Sequence, residues 1–315
     1  MISATSPQIE LRQLHRVFEH THAVNDVSFE VYAGEVFGYI GPNGAGKTTS
    51  MRILATLDEP TAGDAFIDGF SVIDDPDRVR RRLGFMPDYF GTYQNVNVLE
   101  YLDFFARAYG LAGRERLRAI DEVMEFTALD TLAHKPIDGL SKGMKQRLCL
   151  GRTMIHDPSV LILDEPAAGL DPRARIELRE MIERLAAAGK AILISSHILT
   201  ELAEIADRVA IIEQGQLLAV GSVDEISAGV QSLSTARVRV LRDAERLHSW
   251  LASRLDISDL KMENGLASFS HTGDDESEAA LLRAIVEAGF PVVEFGAQHK
   301  SLEDVFLHVT EGRVQ

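Results

Sequence analysis

One stretch constrains this chain more than any other: Gly41-Pro42-Asn43-Gly44-Ala45-Gly46-Lys47-Thr48-Thr49, which follows the apolar run Val36-Phe37-Gly38-Tyr39-Ile40 and precedes a helical pattern. It matches the phosphate-cradling pattern G-x-x-x-x-G-K-[ST] at every constrained position. With a strand ending at Gly41 and a helix opening near Gly46, the glycines let the chain turn and bring backbone N–H groups together on a phosphate dianion. The helix dipole adds positive potential at the same place. Lys47 then reaches the β- and γ-phosphates, the Thr48 hydroxyl holds Mg²⁺, and Thr49 bonds the α-phosphate. A glycine-rich turn without a ligand is the competing reading, but strand, loop and helix in this order select a nucleotide site.

The chemistry served by that site has to come from the rest of the chain. Its 315 residues suffice for about two domains. Lys and Arg number 32 against 48 Asp and Glu, a net charge of −16. Such a charge repels nucleic-acid phosphates, so no nucleic-acid partner is expected without a local basic patch. Arg78, Arg80, Arg81 and Arg82 cluster tightly, and they read as a solvated helix face before they read as an anion site. Cys149 is the only cysteine, which excludes an internal disulfide and suits a reducing compartment. No window of about 18 residues is continuously apolar, and residues 1–7 lack the basic flank and apolar stretch of a signal peptide. The expectation is a chain that is soluble or held at a membrane by a partner.

Residues 8–40 read as β-rich, with strands at Ile9-Leu11, Val27-Val31 and Val36-Ile40, and Phe18 between the first two. A helix after the loop carries Met51, Ile53, Leu54 and Leu57, and short strands follow at Ala65-Asp68 and Leu83-Met86. Between residues 98 and 156 the period turns helical, which predicts a helical insertion. The β pattern returns at Val160-Leu161-Ile162-Leu163-Asp164, apolar enough for a central parallel strand. Asp171-Pro172 opens a further helix as N-cap and first residue. The strand Ala191-Ile194 leads to Ser195-Ser196-His197, and a hairpin turns at Gly215. This alternation around a phosphate loop predicts an α/β fold with a mainly parallel sheet.

A small, polar stretch from Gly229 to Thr235 reads as a linker, dividing the chain into residues 8–229 and 230–315. Beyond it the pattern runs β-α-β-β-α-β, which predicts a ferredoxin-like α+β domain closed by a helix from Leu302 to Val309.

The discriminating residues are Leu140-Ser141-Lys142-Gly143-Met144-Lys145-Gln146-Arg147. With the strand Val160-Asp164, Glu165-Pro166, the segment Ala168-Gly169-Leu170-Asp171 and His197, they resemble the ABC ATPase family: its signature, Walker B strand, D-loop and switch histidine, in family order over residues 8 to about 221. The resemblance implies ATP and Mg²⁺ as cofactors and hydrolysis as the reaction. It makes Asp164 a holder of Mg²⁺ and Glu165 the group that orients the attacking water, as the two carboxylates at a buried strand end also suggest. Ser141 reads either as a plain N-cap or, as the family implies, as part of a helix N-terminus that faces the γ-phosphate bound by a second copy. That interface would also involve Lys142, Gly143, Met144 and Asp171. His197 is either a core histidine or the γ-phosphate contact, and Phe18 either core or the aromatic that stacks on adenine.

Three residues depart from the family pattern. Asp88 stands where a Gln usually follows Gly84-Phe85-Met86-Pro87, Lys142 where a Gly stands in the signature, and Met144 where a Gln does. Asp88 still qualifies as a Mg²⁺ ligand. Lys142 either adds a cation near the trans phosphate or is solvated.

Ser301-Thr310 resembles the ending of exporter ATPases of the drug, polysaccharide and gliding-motility type, and Phe90-Gln94 with Leu99-Leu102 resembles the segment that grips a permease. The implied role is an ATP-hydrolysing motor, dimeric across two nucleotides and held at the cytoplasmic face of the cell membrane by separately encoded permease subunits. A soluble ABC protein acting on ribosomes or DNA is the alternative; such proteins usually carry two ATPase cores or a long coiled coil, and here there is one phosphate loop and no sustained heptad repeat. A regulatory domain that binds without hydrolysing is disfavoured by the presence of Lys47, Asp164, Glu165 and His197.

Overall fold

The computed structural model describes residues 6–89, 91, 95–197, 202, 204–222, 225–226, 233–263, 265–272 and 275–298. The chain divides into two compact units, residues 1–222 and 223–315.

In the first unit, strands β1 (Ile9–Phe18), β2 (Thr21–Val31), β4 (Ala62–Ile67) and β5 (Phe70–Ser71) form an antiparallel sheet in the order β2-β1-β4-β5. A second sheet has the order β10-β9-β3-β8-β7-β6. Its members are β3 (Val36–Ile40), β6 (Leu83–Met86), β7 (Val160–Leu163), β8 (Ala191–Ser196), β9 (Arg208–Glu213) and β10 (Gln216–Ser222). β9, β3, β8, β7 and β6 pair in parallel, and β10 returns antiparallel along β9. The uninterrupted apolar runs of β3 and β7 belong where both faces are covered, and every residue of both is buried.

Register decides where the chemistry sits. Met86 lies beside Leu163, Leu163 beside Ile194, and Ile40 beside Ser196. The carboxyl ends of β3, β6, β7 and β8 therefore finish at one edge of the sheet, where open α/β sheets place their ligands. The phosphate loop leaves β3, Asp88 follows β6, Asp164 and Glu165 follow β7, and His197 follows β8.

Helix α1 (Lys47–Leu54) leaves the loop. It stops short of Leu57, which is 55% exposed, because Thr56 adopts φ +57° and turns the chain away. Helix α2 (Pro76–Arg82) carries the basic cluster, and its charges are met locally: Arg80 pairs with Asp77 at 3.0 Å, and the Arg82 guanidinium lies 4.3 Å from the Phe70 ring. This is the solvated-face arrangement.

The helical insertion comprises α3 (Val98–Ala108), α4 (Gly113–Phe126) and α5 (Lys142–Met154), packed around their own core of Tyr101, Leu102, Ile120, Val123, Leu129 and Leu148. Asn97 and Glu100 close the start of α3 as a reciprocal capping box. Helix α6 (Pro172–Ala187) begins as expected, with the Asp171 side chain accepting from the Ala174 amide at 3.0 Å.

In the second unit the elements run β11 (Leu233–Val240), α7 (Ala244–Ala252), β12 (Ile257–Glu263), β13 (Leu266–Thr272), α8 (Asp275–Glu287) and β14 (Val292–Gln298). The sheet order β12-β13-β11-β14, antiparallel throughout, is the ferredoxin-like arrangement. Its core gathers Val238, Leu247, Leu251, Phe269, Leu281 and Ile285.

The expected linker at Gly229–Thr235 needs correction at its far end. Leu233, Ser234 and Thr235 already pair with Thr272, His271 and Ser270 in the sheet, and the division between units falls before Val223. The helix expected from Leu302 to Val309 and most of the segment Phe90–Gln94 lie outside the described residues.

Candidate functional site

A cleft of about 360 Å³ is lined by Ala23, Asn43, Gly44, Ala45, Gly46, Lys47, Thr48, Thr49, Asp88, Glu165, Ala168 and His197. Four strand ends and the start of α1 thus supply one wall each to a single cavity. The loop geometry requires glycine at two places. Gly46, which opens α1, has φ +107°, and a Cβ there would lie 2.2 Å from the Ala23 carbonyl oxygen. A Cβ on Gly41 would lie 2.3 Å from the Ile212 carbonyl oxygen. No side chain caps α1 and no acidic residue occupies its first turn, so its leading amides remain available to an anion.

Lys47 is 5% exposed, and its ammonium donates to the carbonyls of Gly41 at 2.6 Å and Pro42 at 3.2 Å. Burial pushes its pKa down, while Glu165 and Asp164 oppose that shift.

Asp164 is 1% exposed. The Ser195 hydroxyl donates to its Oδ1 at 2.6 Å. Burial pushes the Asp164 carboxyl up; the hydrogen bonds from Ser195 and Thr48 pull it back, and Asp88 and Glu165 add to the rise. Its Oδ2 is buried and has no hydrogen-bond partner among the described residues. A buried carboxylate oxygen without a partner is costly unless a cation meets it. The residues therefore fit Mg²⁺, with Thr48 and Asp164 as hard oxygen donors and Asp88 on the same cleft.

Glu165 is held at φ +49°, an uncommon conformation for a residue with a side chain. Its amide donates to the Ser195 hydroxyl at 2.9 Å, and its Oε2 lies 2.7 Å from Nδ1 of His197. Oε1 is buried without a partner among the described residues. His197 is half exposed and lines the cleft, so it is not a core histidine.

The signature residues stand apart from this cleft. Ser141, Gly143, Met144 and Asp171 line a separate hollow of about 120 Å³ between the starts of α5 and α6. The Ser141 hydroxyl accepts from the Met144 amide at 3.3 Å, an ordinary cap. Lys142 is exposed, and a Cβ placed on Gly169 would fall 2.2 Å from its Nζ, so its ammonium lies over the D-loop backbone. Phe18 ends β1 at 42% exposure, with the Arg16 guanidinium 4.4 Å from its ring centroid, and it is not core. It is not among the residues lining the cleft. Ser195 was not singled out from the sequence: its two bonds depend on β8 lying beside β7, which local pattern does not reveal.

The sheet order, the phosphate loop and the carboxylates beyond β7 define a P-loop nucleotide-binding protein. Comparison with known proteins narrows this. The family model described as ABC transporter matches residues 24–168. The ABC transporter ATP-binding protein YxlF of Bacillus subtilis (strain 168), itself described as uncharacterized, is 35% identical over 96% of this chain and 99% of its own. The Nod factor export ATP-binding protein I of Burkholderia lata is 34% identical over 98% of each chain. A solved ATP-binding subunit of an ABC transporter superposes with a TM-score of 0.65 at 32% identity, over 71% of this chain and 93% of its own. The chain belongs to the ATP-binding proteins of ABC transporters, and its reaction is ATP hydrolysis coupled to transport.

Proposed function

We propose that this subunit powers an exporter, docked on separately encoded permease subunits at the cytoplasmic face of the cell membrane, and that it works as a dimer with two ATP molecules between phosphate loop and facing signature. The observation that carries the reading is the convergence of Lys47, Thr48, Asp164, Glu165 and His197 at one sheet edge, with Glu165 Oε2 and His197 Nδ1 at 2.7 Å. Kinship to an export protein supports the direction of transport. No helix among the described residues is long and apolar enough to cross a membrane, which leaves the path through the bilayer to partner chains.

In this reading Gly41 to Gly46 wrap the phosphates with backbone amides, and Lys47 exchanges its carbonyl partners for phosphate oxygens. Thr48, Asp164 and Asp88 hold Mg²⁺, which neutralises charge on the phosphate oxygens when bound. Glu165 orients the attacking water through the carboxylate that His197 holds, and the His197 ring serves the γ-phosphate. Phe18 stacks on adenine. Ser141, Lys142, Gly143, Met144 and Asp171 meet the nucleotide of the second copy. Residues 8–222 form the nucleotide-binding domain and 223–315 an accessory domain, a boundary earlier than the expected 229, and limited proteolysis is expected to leave two folded fragments.

Glu165→Gln tests the core of this reading, because it leaves the phosphate cradle intact and removes only the base. Steady-state hydrolysis is expected to vanish while ATP binding persists, and sedimentation with ATP and Mg²⁺ should then show a stable dimer. A persistent monomer would rule out the sandwich; undiminished hydrolysis would rule out the role of Glu165.

A further inference from the structure

We infer that Ser195 is a positioning residue for ATP hydrolysis, one hydroxyl that sets the Asp164 carboxylate and the Glu165 backbone at the same time. The inference rests on the roles proposed above for those two acids.

Ser195 is fully buried near the end of β8. Its hydroxyl has one proton to give and gives it to Asp164 Oδ1 at 2.6 Å; its lone pairs receive the Glu165 amide at 2.9 Å. The two acids are adjacent, but they face the cleft by different means. Asp164 needs its carboxylate turned so that Oδ2, the oxygen without a partner, is free for a cation. A carboxylate rotates about its last bond, and a short hydrogen bond to one oxygen fixes the direction of the other. Glu165 needs its backbone held at φ +49°, where a side chain is disfavoured, so that Oε2 meets His197. The bond from its amide to Ser195 is the contact that holds this turn from across the sheet.

Parallel pairing makes this possible. Leu163 lies beside Ile194, so Asp164, the first residue past β7, comes level with Ser195, still on β8. Two residues further on, just past the end of β8, His197 takes the Glu165 side chain. The end of β8 thus addresses one acid by its carboxylate and the other by backbone and carboxylate together. An apolar residue at 195 would fill the space and leave the Glu165 amide and Asp164 Oδ1 unpaired.

The test uses the full-length chain as Ser195→Ala and Ser195→Thr beside the wild type, with Glu165→Gln as reference. Three quantities are measured: affinity for a fluorescent ATP analogue without divalent metal, affinity of the nucleotide-bound protein for Mn²⁺ by electron paramagnetic resonance, and kcat and KM for ATP hydrolysis. Ser195→Ala is expected to keep metal-free nucleotide affinity within about twofold, because the phosphate cradle does not involve Ser195. It should weaken Mn²⁺ about tenfold or more, the scale of one hydrogen bond to a charged group. It should also lower kcat by on the order of tenfold or more with KM little changed, since the acids are displaced rather than removed. Ser195→Thr, which keeps the hydroxyl, should restore both.

Wild-type Mn²⁺ affinity and kcat in Ser195→Ala would overturn the inference. So would loss of metal-free nucleotide binding in step with Mn²⁺ affinity and kcat, or a threonine variant as impaired as alanine, since either would make Ser195 a packing residue. Failure of the underlying reading shows separately, as a Glu165→Gln protein that hydrolyses ATP at the wild-type rate.

Discussion

Two helix starts in the first unit are proposed to meet anions, and they are capped in opposite ways. At α1 the residue before the helix is Gly46, with no side chain to offer, and no acid stands in the first turn. At α5 that residue is Ser141, whose hydroxyl already accepts the Met144 amide at 3.3 Å. The first helix keeps its donors open for a ligand within its own chain. The second satisfies one donor by itself, and in the proposed sandwich it would release that donor to a phosphate. In physical terms the first is a standing site, whereas the second is a stable helix terminus until another surface supplies the phosphate.

The largest effect on this contrast is expected from Gly46→Ala. The left-handed backbone alone costs about 1–3 kcal/mol with a side chain present, and the new Cβ would lie 2.2 Å from the Ala23 carbonyl oxygen. Nucleotide binding should be lost, and thermal unfolding should fall by roughly 5–10 °C; calorimetry with and without ATP reads both. Ser141→Ala should act differently. Losing the cap costs about 1 kcal/mol, a few degrees at most, with ATP affinity of the isolated subunit unchanged and ATP-dependent dimer formation weakened. If Ser141→Ala lowered ATP affinity in the monomer, the two helix starts would not be independent.

Asp88→Asn sharpens the comparison from the side of the cleft. Removing one charge beside the proposed metal site should raise the Mg²⁺ concentration for half-maximal hydrolysis on the order of tenfold or more, since unit charges ~4 Å apart in water attract by ~1 kcal/mol and the cation is divalent. Rate curves against Mg²⁺ at fixed ATP decide it, and superimposable curves would make Asp88 an ordinary loop residue. The smallest change is expected for Lys142→Ala. An exposed cation contributes little in water, so metal-free ATP binding should not move, while ATP-dependent dimerisation measured against salt should weaken by about twofold.

The strand ends that carry the chemistry were legible because burial on both faces writes itself as an unbroken apolar run, as in Val160 to Leu163. The start of α6 was legible because Asp171 and Pro172 act within one turn. What was missed depends on residues distant in the chain. The pairing of Ser195 with Asp164 spans 31 positions and that of His197 with Glu165 spans 32, and nothing local signals either. Strand β1 was read only as far as Leu11 because its register shifts after that residue and Gln13 adopts φ +45°, which breaks the alternation. Leu233 to Thr235 end a small, polar stretch that reads as linker by composition, yet strand pairing with β13 claims them.

The partners of Lys47 bear on what happens between one ATP and the next. A buried ammonium stripped of its phosphate would ordinarily pull the surrounding loop inward or draw in water. Here the carbonyls of Gly41 and Pro42, members of the same loop, stand at 2.6 and 3.2 Å to receive it. The lysine head is thereby tied to the loop that it closes, so the side chain meant for the phosphate also braces the cradle around it. Shortening that side chain would therefore loosen the loop as well as remove a charge, two losses from one residue.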